Sequence, residues 1–389
     1  MGTDWAAIRE AEFPVGRDWA YFDHAAVAPV PRRAAEAVRL WAEDQARNGV
    51  VHWKTWGDKI EALRGDLADW IAADPDEIAF VANTTHGIGL VAEGFPWRPG
   101  DNVVVPAEEY PSNVYPWMNL ADRGVETRLV PSRDDRILLD DLREAMDDRT
   151  RVLAVSHVEF ASGFRNDLDA IGGLCRSRGV ALFVDAIQGL GPLELDVRRT
   201  PVDFAAADGH KWLLGPEGAG FLYVRREWID RLRPLGVGWH SVTASFSAPG
   251  LDFTLKPNAQ RWEGGSCNMP GLQGFAASVG LLREIGPRAL SERLLDRAEA
   301  VREAVAGAGW RVLGSTRPEE RSAIVTAAAD GVDPDAAVAL LRGRGVVASC
   351  RRGRLRLSPH LYTDDDDLRR LQDGLIAARG PLPPTAKGL

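Results

Sequence analysis

Short apolar runs alternating with longer helical patterns constrain the fold of this chain more than any other feature. Seven runs have the length and apolar character of buried strands, and helical patterns such as 140–146 and 168–178 separate most of them. The runs are 78–82, 102–106, 127–130, 152–156, 181–185, 204–207 and 220–224. The alternation predicts an α/β domain with a mostly parallel seven-stranded sheet. In such sheets ligands bind beyond the carboxyl ends of the strands.

The pattern changes near residue 271. Long helical patterns at 272–284 and 291–308 precede short strands near 323–327 and 354–357, which indicates a smaller C-terminal α+β domain. A chain of 389 residues is also too long for one simple core. We therefore predict three parts: an N-terminal segment that packs on the small domain, a large domain, and the small domain itself. Their limits are 1–20, 21–270 and 271–389.

Charge and cysteine content exclude several classes of protein. The net charge of -9 does not favour a nucleic-acid partner, which selects basic surfaces. Cys175, Cys267 and Cys350 are scattered and form no metal-binding pattern, so we expect no metal site and a reducing cytoplasm. The first ten residues lack the apolar core of a signal peptide, and no run of about 18 apolar residues exists, so we expect no membrane partner.

A lysine and an aspartate carry the first chemical signal. Lys211 stands in Asp208-Gly-His-Lys-Trp, just after a predicted strand, and Asp185 ends the strand before it. Either residue alone has an ordinary interpretation, as a surface lysine or a helix cap. Together they suit pyridoxal phosphate (PLP), which needs an amine for a Schiff base and a carboxylate for its protonated pyridine nitrogen.

A third segment suits the phosphate of the same cofactor. Val81-Ala-Asn-Thr-Thr-His-Gly follows a predicted strand and opens a helix. Free backbone N–H groups and the helix dipole favour an anion at that place, and Thr84 and Thr85 add hydroxyl donors. An ordinary helix cap is the alternative interpretation of this segment alone.

These segments and several further motifs resemble those of the class V aminotransferases. This group of fold-type I PLP enzymes includes cysteine desulfurases, isopenicillin N epimerase-like proteins and kynureninase. The resemblance runs from Tyr21 to about Leu375. Its markers are Phe22-Asp-His-Ala-Ala, Asn83-Thr-Thr, Glu109-Tyr-Pro-Ser-Asn, Ser156-His-Val, Val184-Asp-Ala-Ile-Gln, Gly209-His-Lys, Arg261-Trp-Glu-Gly-Gly-Ser and Arg356-Leu-Ser-Pro-His.

The resemblance implies a role for each residue around the cofactor ring. Lys211 is implied to be the Schiff-base lysine and the group that moves the proton at Cα. Asp185 is implied to pair with the pyridine nitrogen, and Gln188 to donate to the phenolic oxygen. Tyr110 falls where the family stacks a ring on the pyridine.

Further implied roles concern the phosphate and the substrate. Thr84, Thr85 and His210 are implied to hold the phosphate. Ser266 falls where a hydroxyl of a second subunit reaches that phosphate, which implies a homodimer with active sites at the interface. Arg356 falls where the family binds the substrate carboxylate, for which a planar guanidinium is suited.

Three positions depart from the desulfurase pattern. Asp208 replaces a serine, and because a carboxylate repels a phosphate we expect it to point away or to bond a backbone group. Phe160 replaces an asparagine. Cys350 lies only six residues before Arg356, a much shorter separation than in desulfurases, so we interpret it as a structural thiol. These departures disfavour a persulfide-forming desulfurase.

The remaining reactions begin with an external aldimine and a base at Lys211. We place first the β-elimination of a C–S bond in an amino acid or an amino-acid-derived conjugate, in specialised metabolism. An aminotransferase is the alternative, followed by an epimerase or a decarboxylation-coupled deaminase. A non-catalytic PLP-binding protein is disfavoured by the intact lysine, aspartate and arginine. A zinc hydrolase using His157 and Glu159 lacks a cysteine pair.

Overall fold

The computed structural model describes residues 3–244 and 250–380. In chain order the strands are β1 (Ala20–Tyr21), β2 (Ile78–Val81), β3 (Asn102–Pro106), β4 (Glu126–Val130), β5 (Thr150–Ser156), β6 (Ala181–Asp185), β7 (Phe204–Asp208), β8 (Gly220–Val224), β9 (Arg311–Val312), β10 (Val325–Ala328), β11 (Val346–Val347), β12 (Ser349–Arg351) and β13 (Arg354–Leu357).

The helices lie between and around these strands. In chain order they are α1 (Trp5–Glu12), α2 (Arg32–Asn48), α3 (Trp53–Trp70), α4 (Thr84–Gly94), α5 (Tyr115–Met118), α6 (Leu139–Ala145), α7 (Leu168–Arg178), α8 (Arg226–Ile229), α9 (Met269–Ile285), α10 (Pro287–Gly307), α11 (Pro334–Gly343) and α12 (Asp365–Arg379). Among the described residues, no helix is long and apolar enough to cross a bilayer.

A seven-stranded sheet forms the centre of the molecule, in the order β2-β8-β7-β6-β5-β3-β4. Its strands pair in parallel from β4 to β7, and β8 alone runs antiparallel to both of its neighbours. The prediction of a mostly parallel seven-stranded sheet is confirmed, and each of the seven predicted strands forms within two residues of its predicted ends.

Apolar side chains cover both faces of this sheet. Leu182 and Val184 of β6 belong to one hydrophobic cluster, whereas Phe183 belongs to the other and lies 5.7 Å from the Trp117 ring. Strand residues alternate between the two faces, so a strand buried on both sides is apolar at almost every position. The short apolar runs of the sequence are explained by this double burial.

The C-terminal part contains a four-stranded antiparallel sheet, β12-β13-β10-β9, with α10 and α11 packed on it and α12 packed on those two helices. The N-terminal segment contacts this part. Phe13 stacks on Tyr362 at 4.1 Å between ring centroids, the Arg9 guanidinium lies 2.6 Å from the Asp367 carboxylate, and β1 pairs in parallel with β11. The domain limits 1–20, 21–270 and 271–389 stay a prediction.

Candidate active site

One cavity of about 370 Å³ lies where the carboxyl ends of β3, β5, β6 and β7 meet. Such an edge is the usual ligand site of a parallel sheet. The cavity brings together eight of the nine residues that the sequence indicated. They are Thr84, Thr85, Tyr110, Asp185, Gln188, His210, Lys211 and Arg356. Ser266 lies elsewhere.

Lys211 is held by a tight turn that follows β7. Gly209 donates its backbone N–H to Ala219 O at 2.9 Å, and a Cβ at Gly209 would come within 2.9 Å of the Phe275 ring on α9. Only glycine therefore lets this turn pack on the helix. The Lys211 amine lies 5.6 Å from the Tyr110 ring centroid. Burial lowers the pKa of Lys211 to about 8, so about a tenth of the amine is uncharged at pH 7 and about half at pH 8.

Asp185 ends β6 beside Ser156 of β5. Its Oδ1 accepts a hydrogen bond from Ile187 N at 3.1 Å. Burial raises the pKa of Asp185 to about 6, and the Ile187 N–H and the positive charge of Lys211 limit that rise. A cation placed against this carboxylate would stabilise its charged form further.

The start of α4 forms an anion cradle. Asn83, which precedes the helix, caps it by accepting from His86 N at 2.9 Å, so the cap does not use the threonine hydroxyls. Thr84 Oγ1 is buried and has no hydrogen-bond partner in the described part of the chain. Thr85 Oγ1 donates to Ser112 Oγ at 2.7 Å. A buried hydroxyl without a partner at a helix N-terminus fits a phosphate group.

The position of α4 depends on a second close approach. A Cβ at Gly87 would lie 2.9 Å from the Ala206 Cβ on β7. The glycine therefore lets α4 lie directly on the strand that leads to Lys211. This contact places the threonines and the lysine on the same cavity.

Asp208 differs from the expectation. It does not point away or bond a backbone group. Its carboxylate lines the cavity, and Oδ2 lies 3.0 Å from His210 Nδ1 without the alignment of a hydrogen bond.

Gln188 is oriented by two fixed contacts. Its Oε1 accepts from Trp212 Nε1 at 2.9 Å, and its Nε2 donates to Ala25 O at 2.9 Å. An amide nitrogen carries two hydrogens, so one donor remains for a group in the cavity. The contacts therefore leave Gln188 able to play the role implied by the resemblance.

Arg356 is nearly inaccessible to solvent, at 1% exposure. Its Nη1 donates to Phe160 O at 3.0 Å and its Nη2 to Asp23 Oδ1 at 3.1 Å. The buried Nε has no partner within residues 3–244 and 250–380. The guanidinium is thus rigidly held and retains donors for a carboxylate.

Ser266 is exposed and lines a second cavity, of about 530 Å³. Four tryptophans share that cavity: Trp41, Trp53, Trp56 and Trp239. Within one chain, Ser266 therefore does not meet the other predicted phosphate ligands.

Cys350 is turned away from the Lys211 cavity. It pairs with Leu355 across the β12–β13 hairpin, whereas Arg356 pairs with Ser349. Side chains alternate along a strand, so Cys350 and Arg356 point to opposite faces of the hairpin. Burial, followed by a hydrogen bond with Asp335, raises the pKa of the Cys350 thiol, which disfavours a thiolate nucleophile.

Two residues of the site were missed by sequence reasoning. Glu109 is buried and accepts hydrogen bonds from Ser156 N and Ser156 Oγ, and burial raises its pKa. Arg351 lines the cavity beside Arg356. Arg351 lies two residues after Ser349 in a short hairpin, and residues two apart on a strand share a face. This spacing is a signal that could have indicated the direction of the Arg351 side chain.

The residues of the cavity fit PLP. The buried Thr84 hydroxyl suits the phosphate, the buried Asp185 carboxylate suits a protonated ring nitrogen, and Lys211 lines the same cavity. Among the described residues, no group of three histidine, cysteine or acidic side chains could hold a metal ion.

Comparisons with known proteins identify the family. The family model described as aminotransferase class-V matches residues 20–370. A probable cysteine desulfurase from Methanothermobacter thermautotrophicus is 34% identical over 300 residues, covering 76% of this chain and 74% of the relative. A cysteine desulfurase from Cronobacter sakazakii is 31% identical over 402 residues, covering 94% of this chain and 96% of the relative.

A solved structure is similar over nearly the whole chain. It is the cystine C–S lyase C-DES in complex with its product cysteine persulfide, at 25% identity and a TM-score of 0.88. The match covers 95% of this chain and 100% of that one.

Proposed function

This chain belongs to the class-V aminotransferase family and uses PLP, and on that premise we propose that it breaks a carbon–sulfur bond by β-elimination. The substrate is an amino acid or an amino-acid-derived conjugate, in specialised metabolism. Relatives named as cysteine desulfurases and the similarity to a C–S lyase support this choice.

The orientation of Cys350 is the observation that carries the proposal. A desulfurase passes sulfur to a cysteine thiolate, and here that thiol points away from the cavity. Cys175 is buried and Cys267 lines the second cavity. Sulfur released at the Lys211 site therefore leaves with the thiol product.

Each residue of the cavity has a task in this reaction. PLP, when bound, draws electrons from Cα and makes the bonds there labile. Thr84, Thr85 and His210 would hold its phosphate, and Asp185 its ring nitrogen. Arg356 binds the substrate carboxylate and fixes the orientation of the Cα–H bond.

Lys211 moves the proton. Its buried amine takes the proton from Cα, and the electron pair left behind expels the thiolate from Cβ. The lysine ammonium then lies on the same cavity as the leaving sulfur and can return the proton to it. For a cysteine conjugate, hydrolysis of the remaining fragment yields pyruvate and ammonia.

We also propose a homodimer and a cytoplasmic location. Ser266 is exposed beside exposed aromatic side chains, outside the cavity of its own chain, as a residue donated to a partner subunit would be. The three cysteines are free thiols, which suits a reducing compartment.

Product analysis tests the proposed reaction. The purified enzyme is incubated with cysteine conjugates, with amino acids and with amino acids plus α-keto acids, and products are identified by mass. Pyruvate, ammonia and a free thiol in equal amounts support elimination, and the Lys211→Ala variant is the control. A new amino acid formed from the keto acid would instead establish transamination. A PLP-loaded protein that forms no product would support a non-catalytic role.

A further inference from the structure

The hairpin formed by β12 and β13 carries arginines on one face. The pairs Arg351↔Arg354 and Ser349↔Arg356 alternate with Cys350↔Leu355. The turn between the strands is only Arg352-Gly353, and both residues have positive φ, at 50° and 71°. Such a two-residue turn fixes the register of a hairpin. The direction of Arg351 toward the side of Arg356 is therefore built into the backbone.

The arginines on that face differ in their partners. Arg354 pairs with Asp135 and Arg356 with Asp23. Arg351 has no carboxylate within ion-pair distance in the described part of the chain, and its Nη1 donates only to Cys350 O, at 2.8 Å. Four of its five N–H donors are left for another partner.

Arg351 lies on the Lys211 cavity together with Arg356. Both arginines influence the pKa of the Lys211 amine. Burial lowers the pKa of Lys211, Asp185 opposes that shift, and the positive charges of Arg356 and of Arg351 lower it further. The positive charges of both guanidinium groups therefore reach the lysine amine that reacts with the substrate.

From this arrangement we infer that Arg351 binds a second carboxylate, carried by the substrate side chain, while Arg356 binds the α-carboxylate. A guanidinium that is half-buried and lacks an anionic partner is stabilised by a planar oxyanion, which it can bind through two parallel N–H donors. The substrate is then a dicarboxylic amino acid or conjugate. The inference rests on the proposed function, because it assigns Arg356 to the α-carboxylate.

Substrate shape follows from the same geometry. The aromatic rings of Tyr110 and Phe160 meet edge to face at 5.1 Å and line the cavity with the two arginines. An apolar linker, such as a thioether chain, suits these rings, and a carboxylate at its end suits Arg351. Arg351 is thus a specificity-determining residue.

Unreactive ligands test the site in the PLP-loaded enzyme. Glutarate and its monoamide, glutaramate, have nearly the same shape and differ by one carboxylate, and neither carries an amine that could react. Isothermal titration calorimetry should show that glutarate binds at least about tenfold more tightly. Because the required chain length is open, the succinate and adipate pairs are titrated in the same way.

Two matched variants test whether Arg351 is the residue that binds the second carboxylate. Arg351→Gln should remove the preference for the diacid and leave the affinity for the monoamide within about twofold. Arg352→Gln removes the same charge from the next position, which is exposed and does not line the Lys211 cavity, and should keep the preference. For a diacid substrate, KM should rise more in Arg351→Gln than in Arg352→Gln.

Three results would overturn the inference. They are equal affinities for diacid and monoamide in all three pairs, a preference that survives Arg351→Gln, and an equal loss in Arg352→Gln. The absorbance of the same preparation reports PLP separately. A colourless preparation contradicts the proposed function, whereas a yellow enzyme without the diacid preference contradicts only the role of Arg351.

Discussion

At the scale of the residue, burial favours the uncharged forms of an acid and a base that line the same cavity. Asp185 and Lys211 are both buried, and desolvation penalises the charged form of each. The pKa of Asp185 rises to about 6 and that of Lys211 falls to about 8. The amine therefore has an accessible uncharged form near pH 8, which is the form that reacts with a carbonyl.

The rate at which the apoenzyme takes up PLP should depend on this amine. Because the pKa of Lys211 is lowered, the reactive free base increases as pH rises through about 8 and is complete above it. We expect the rate constant for cofactor loading, followed by absorbance, to rise about tenfold per pH unit below pH 7 and to level off above pH 9. A rate that still rises steeply above pH 9.5 would indicate an unshifted lysine.

Asp185→Ala should lower kcat by about a hundredfold or more, because a charge partner of the cofactor ring is lost. PLP should still bind, since the cradle at Thr84 and Thr85 is unchanged. Turnover and cofactor content are measured on the same preparation. Near wild-type turnover in a fully loaded variant would assign the charge-stabilising role to another group.

At the scale of the element, close packing decides where the catalytic loop lies. Gly209 and Gly215 both approach the Phe275 ring on α9, where an added Cβ would come within 2.9 and 2.7 Å. The loop that carries Lys211 is therefore held between β7 and α9 by contacts that leave no room for a side chain.

Gly209→Ala should destabilise the protein by about 1–3 kcal/mol, because the new methyl group overpacks the interface with Phe275. Its PLP content should fall as well, since the loop carries the lysine. Gly173→Ala is the matched control: this helical glycine of α7 has no atom within 4 Å of an added Cβ, and the change should stabilise the helix slightly. Urea unfolding measures the stability of both variants. Equal urea midpoints for the two would refute the packing argument.

The β12–β13 hairpin also determines what Cys350 can do. Because this thiol faces Asp335 and not the cavity, Cys350→Ser should keep kcat within about twofold of wild type for the substrate that product analysis identifies. Mass spectrometry of the wild type during turnover should find no persulfide on this residue. A loss of a hundredfold or more would show that Cys350 accepts sulfur.

At the scale of the whole molecule, eight of the nine predicted site residues line one cavity and the ninth, Ser266, lies elsewhere. Ser266 and the tryptophans around it form their own cavity, apart from Lys211. A phosphate carries about two negative charges and needs several donors. A two-fold dimer would satisfy both observations by placing Ser266 of each subunit on the phosphate of the other.

Mixing two inactive variants tests this arrangement. Lys211→Ala and Ser266→Asp subunits should form hybrid dimers in which one site carries both changes and the other carries neither. Recovery of roughly a quarter of wild-type activity is expected from random exchange. Light scattering should give a dimer mass at micromolar protein. An active monomer, or no recovery after proven subunit exchange, would contradict the shared site.

The strands of the large sheet, the lysine–aspartate pair and the phosphate segment could be predicted from the sequence alone. Their signals are local: β6 is apolar at four successive positions before Asp185, and α4 opens directly after its strand with Asn83-Thr-Thr. Burial on both faces and helix capping act within a few residues of the chain, so they leave a pattern in the sequence.

Side-chain directions at long range were decided only by the tertiary structure. Arg351 reaches the Lys211 cavity because a two-residue turn sets the register of its hairpin, and Asp208 lines the cavity beside His210, contrary to the expectation. Ser266 lies apart from the other predicted ligands within its own chain. Which side chains meet depends on strand register and on the packing of distant segments, and a slip of one residue reverses every side chain of a strand.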